Sequence, residues 1–145
     1  MTSKYDIPAI CRKAVQTAAA RNIDLDYSPE SVSALEGILT GQHELFKQGK
    51  LTDIYIWNMS VMFGVYLGQT LLHCGLKDHG YSWIEQDGIA LLTDGGENVV
   101  NPIGKTGARI RLGPAENVRL FFELILDLAD GMIIEPGRNV PGIIS

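Results

Sequence analysis

The chain has 145 residues, enough for one domain, and 46% apolar and 20% charged residues, the balance of an ordinary globular protein. A chain of this length buries about 70% of the surface it exposes when unfolded, so it needs no covalent staple to fold. Its net charge of −5 and pI near 5.1 exclude the basic footprint that non-specific nucleic-acid binding requires.

The opening segment MTSKYDIPAICRK lacks the uninterrupted apolar core of a signal peptide, and neither end carries a lipidation motif, so a cytoplasmic location is expected. Ile7, Ile10, Cys11, Ala14, Val15 and Ala18 then recur at helical spacing, with Asp6 as cap and Pro8 in the first turn. Ser28-Pro29 starts a second helix, whose buried side is Val32, Leu35, Leu39 and Phe46, widened by Ile38 and Leu45. Gly49 ends it. Cys11 and Cys74 are too few for a disulfide framework and sit in apolar helical patterns, so buried, reduced thiols are expected.

The most apolar stretch is Ile54–Leu72, between Asp53 and HCGLKDHG. It is long enough to cross a hydrocarbon layer. However, Asn58, Ser60, Gln69 and Thr70 interrupt it, and no Lys/Arg cluster flanks it to fix an orientation. The expected form is a helix buried on all sides, at about residues 53–74, in the centre of a soluble core. Ser60, Gly64 and Gly68 recur every four residues along it, a small-residue stripe on which another element's backbone can pack closely. Each glycine costs about 0.5–1 kcal/mol of helix stability relative to Ala, which close packing along the stripe offsets.

Beyond it the period changes. Asp87-Gly88 and Asp94-Gly95-Gly96 supply the positive φ of tight turns, so Tyr81–Gln86, Ile89–Thr93 and Asn98–Val100 read as a three-strand antiparallel meander. Asn101-Pro102 opens another helix, weakened by Gly104 and Gly107. After Gly113-Pro114 comes a well-defined helix with Val118, Phe121, Phe122, Ile125 and Leu128 on its core face. In the tail, residues 131–145, Met132–Ile134 is expected as an edge strand and the remainder as loosely ordered.

The segments DLDYSPESVSALEGIL, FGVYLGQTLLHCG, YSWIEQ and NPIGKTGARIRLGPAENVRLFFE, in that order, resemble small bacterial α+β domains of unknown function over about residues 25–130. The resemblance implies the order of elements and supplies no activity or catalytic residue.

The chemical motifs fail on spacing. Gly104-Lys105-Thr106 suggests a phosphate loop, but Val99 stands where a second glycine is needed. Asp24, Asp26 and Ser28 open like a calcium loop, but Pro29 and Leu35 occupy its glycine and glutamate positions. His43-Glu44 lacks a second His four residues after the first. Lys105 and Arg109 read as a solvated basic face, with anion binding at their helix start as the alternative. His73, Cys74, Asp78 and His79 form the densest cluster of reactive side chains, without the spacing of a known ligand set. Trp83 shares a strand face with Tyr81 and Glu85, and is core if that face meets the helices and a binding anchor if it faces outward.

The expectation is therefore a single-domain α+β protein: three to four helices on one face of a small three- to four-stranded antiparallel sheet. The leading functional reading is a non-enzymatic binding or protein-interaction module, whose partner is a second copy of the chain or another bacterial protein. Nucleic acid, membrane, metal and cofactor are not expected. The alternative is a small enzyme, or a small-molecule or anion-binding protein, using the His73–His79 cluster or the Lys105/Arg109 helix start.

Overall fold

A computed structural model describes residues 4–131 and the backbone of 143–144. The expected strand Met132–Ile134 lies outside the described residues. The helices are α1 (Ile7–Ala19), α2 (Pro29–Lys47), α3 (Asp53–Cys74), α4 (Pro102–Leu112) and α5 (Val118–Ala129). The strands are β1 (Ser82–Gln86), β2 (Ile89–Thr93), β3 (Val99–Val100) and β4 (Ile143–Ile144). The protein is thus α+β. Five helices form among the described residues rather than three to four, because the glycine-containing segment after Asn101 is fully helical.

Each helix begins with a side-chain cap. Asp6, Ser28, Thr52, Asn101 and Asn117 accept from the backbone N–H of Ala9, Ser31, Tyr55, Gly104 and Leu120. Each satisfies a donor that the first turn leaves free. The last of these caps corrects the start of α5: Pro114–Glu116 is a separate 3-10 turn, and the helix begins only after Asn117.

The sheet is antiparallel in the order β1-β2-β3-β4. Asp87 (φ 53°) and Gly88 (φ 80°) form the two-residue turn between β1 and β2. Trp83 pairs with Leu92 and Glu85 with Ala90, so these four share a face. Trp83, Ala90 and Leu92 on it pack into the hydrophobic core with the helices.

α3 lies at the centre and touches each of the other four helices. No helix among the described residues is long and apolar enough to cross a membrane. The small-residue stripe is where α4 docks. A Cβ on Gly64 would stand 2.6 Å from Ile103 Cα and 2.9 Å from Ile103 N. One on Gly68 would stand 2.4 Å from the Trp83 ring and 3.1 Å from Pro102 Cγ. Gly107 of α4 reciprocates, with its Cβ position 3.0 Å from Ser60 Oγ. The Ser60 hydroxyl itself donates back to Ile56 O at 2.7 Å, so it enters the contact without an unpaired donor.

Contrary to expectation, α3 is not buried all round. Its middle, from Met62 to Leu72, is buried except for the half-buried Gln69, but Ile54 is 75% and Trp57 43% exposed, and His73 is exposed at the far end. α1 and α4 flank this N-terminal half, lining grooves on either side of Trp57 without covering it.

Gly64→Ala forces a methyl into the α4 backbone and is expected to lower stability by about 1–3 kcal/mol. Gly37→Ala in α2, where nothing lies within 4 Å of the new Cβ, is expected to raise stability by about 0.5–1 kcal/mol. Urea denaturation midpoints of the two variants should move in opposite directions.

Candidate functional site

Lys105 and Arg109 are not a solvated face. They are 4% and 1% exposed, the side of α4 opposite expectation, and both are committed to carboxylates. Lys105 Nζ donates to Glu116 Oε2 at 2.6 Å and lies 5.4 Å from the centre of the Phe121 ring. Arg109 Nε donates to both oxygens of Glu36 at 3.0 Å. Its Nη2 donates to Glu36 Oε2 at 2.8 Å and to Thr40 Oγ1 at 2.7 Å. Glu36 Oε1 also accepts from the Val118 backbone N–H at 3.0 Å. One carboxylate therefore ties α2, α4 and the start of α5 together. Both cations are buried against carboxylates, and among the described residues Arg109 Nη1 alone is a buried side-chain nitrogen or oxygen without a hydrogen-bond partner.

The reactive cluster after α3 does not converge. His73 is exposed on the last turn, where it lines a crevice against α1. The Cys74 thiol donates to Tyr27 O at 3.4 Å, and His79 Nε2 lies 2.8 Å from Asp130 Oδ1. Asp78 is exposed. Among the described residues, no three His, Cys, Asp or Glu side chains are placed to hold one metal ion.

Cys11 is buried as expected, and burial pushes its thiol up to about 11 against a lowering hydrogen bond with Tyr27. Cys74 is only half-buried. Its thiol is also pushed up, first by burial and then by the charge of Glu30. Both stay protonated at neutral pH, the reverse of an activated nucleophile.

Trp83 faces the helices. Its Nε1 donates to Gln69 Oε1 at 3.1 Å and its ring covers Gly68. The exposed aromatic is Trp57 instead. It stands as a ridge between two grooves. The one toward α1, about 440 Å³, is lined by Tyr5, Ile10, Val61 and Met62 with Lys4 and Lys13. The one toward α4, about 310 Å³, is lined by Ile56, Ile89, Ile103 and Gly107 with Arg111. Arg111 Nη2 donates to Asp53 Oδ1 at 3.2 Å across the exposed end of α3. No carboxylate lines either groove. One signal for this face was present in the sequence: Asp53 stands four residues before Trp57, on the same side of a helix.

No protein-family model, no curated protein and no solved structure matches this chain.

Breaking the buried pair from either side should be severe. Arg109→Met or Glu36→Leu is expected to cost about 3–5 kcal/mol, because each leaves an uncompensated charge inside the protein. The double variant should recover much of that loss, read from the denaturation midpoints of a double-mutant cycle. Under native conditions, iodoacetamide at pH 7.5–8, on the order of one unit below the ordinary thiol range, should leave Cys11 unmodified in peptide mass spectra. Labelling in denaturant should be complete.

Proposed function

We propose that this chain is a non-enzymatic binding module. It engages an acidic, amphipathic segment of another protein through the Trp57 face. The observation that carries this reading is an exposed tryptophan between two apolar grooves whose charged lining groups are all cationic, on a chain of net charge −5. Large exposed aromatics dominate binding energy when a partner covers them, and concave apolar flanks provide the surroundings that exclude water. Lys13 has no ion-pair partner among the described residues. Together with Lys4 it favours carboxylates on the incoming segment, whereas Arg111 is already paired with Asp53. A second acidic copy of the same chain is repelled overall by the same charge balance. The resemblance to small bacterial α+β domains supports the order of elements only, and this reading does not use it.

The test is fluorescence polarisation with a short labelled peptide carrying leucines on one helical face and glutamates on the other, beside its lysine counterpart. The glutamate peptide should bind saturably. Trp57→Ala should weaken it by about 30-fold or more, the loss typical of a central aromatic anchor. Lys13→Glu should weaken it several-fold, more at low salt than at high salt. Equal binding of the two peptides, or no binding, would overturn the reading. So would a dimer in sedimentation velocity that Trp57→Ala dissociates, which would place a second copy on this face.

A further inference from the structure

We propose that the crevice between the first turns of α1 and the last turns of α3 binds a small carboxylate carried on an aromatic ring. The site is separate from the Trp57 face and uses His73 with partners other than its sequence neighbours. The crevice holds about 370 Å³, within the range of small-molecule pockets. It is lined by Ile7, Pro8, Cys11 and Arg12 of α1, by Gln69 and His73 of α3, and by Tyr27.

Three features give this cavity a direction. The first is Gln69. Its oxygen already accepts from the Trp83 indole N–H at 3.1 Å, which orients the side chain and leaves its NH2 as a donor. The second is charge. Arg12 and His73 form no ion pair among the described residues, and the Cys11 thiol and the Tyr27 phenol that also line the crevice stay neutral. Burial raises both, Cys11 to about 11. Arg12 is therefore the fixed positive charge of the crevice, and no carboxylate lines it. The first turn of α1, where Ile7 and Pro8 lie, adds the positive end of a helix dipole.

The third is backbone strain. Tyr27 has φ +64°, the left-handed region that a non-glycine residue enters at a cost. It is held there by its N–H, which donates to the Tyr66 hydroxyl at 2.8 Å, and by its ring, 4.9 Å from that of Tyr66. Tyr66 is itself fixed by Ser31, 2.7 Å away. The result is an aromatic ring held in place in a crevice that also presents Arg12 and the Gln69 NH2, groups suited to a flat ring with a planar anionic head.

The test uses benzoate, with benzamide as its neutral isostere and benzylamine as a cationic control, followed by NMR mapping of backbone amide shifts. Benzoate should give saturable shifts centred on Cys11, Arg12, Tyr27, Gln69 and His73, with benzamide weaker and benzylamine silent. Arg12 is exposed, so Arg12→Gln should fold normally, weaken benzoate by about tenfold and leave benzamide unchanged. Trp57→Ala should leave benzoate binding intact, which separates this site from the proposed partner face. Absence of saturable benzoate shifts, shifts centred elsewhere, equal affinity for all three probes, or an Arg12→Gln variant that binds benzoate normally would each overturn the proposal.

Discussion

The structure depends on the contact between the first turn of α4 and the glycine edge of α3. Backbone meets backbone there: Ile103 Cα and N approach so closely that no side chain fits at Gly64. The same edge, one turn on, receives the Trp83 indole and the Pro102 ring over Gly68. One stripe on one helix thus positions both the next helix and the sheet. The cost of two glycines within α3 is offset by the dispersion contacts that this close approach allows.

α4 faces two environments because of this contact. Its glycine side is pressed to α3, so the long cations at Lys105 and Arg109 emerge on the other side, into the space bounded by α2, the 3-10 turn and α5. Burying them requires partners, and Glu36 and Glu116 provide them. Glu36 gains further from accepting a free N–H at the start of α5. On the same side, His43 Nδ1 lies 2.7 Å from Ile110 O and its ring fills the place a side chain at Gly113 would need. Polar groups, as well as apolar ones, therefore hold α2 against α4.

The surfaces open to binding follow from where these helices diverge. α4 contacts α3 along the stripe, and α1 packs on α3 elsewhere, so the side of α3 holding Ile54 and Trp57 projects between them. Toward the other end of α3, α1 leaves the crevice that ends at His73. Lys4, Lys13 of α1 and Arg111 of α4 border the first opening, and Arg12 of α1 borders the second.

Local chemistry alone settled the starts of α1, α2 and α4, since a capping side chain acts within three residues of itself, but not that of α5, where a 3-10 turn intervenes. It also settled the Asp87-Gly88 turn, where positive φ is demanded by the chain's own geometry, and the stripe in α3, because a four-residue period of small side chains has one common use in a helix. The number of helices was missed because Gly104 and Gly107 lower helix propensity, and tertiary packing against α3 overrides propensity. The destinations of Lys105, Arg109 and Trp57 were decided only by assembly. A charged residue is solvated or buried according to what stands opposite it, and Glu36 is 73 residues from Arg109 in the chain. An apolar helix is covered only as far as its neighbours extend, and no window of sequence around Trp57 states where α1 and α4 part.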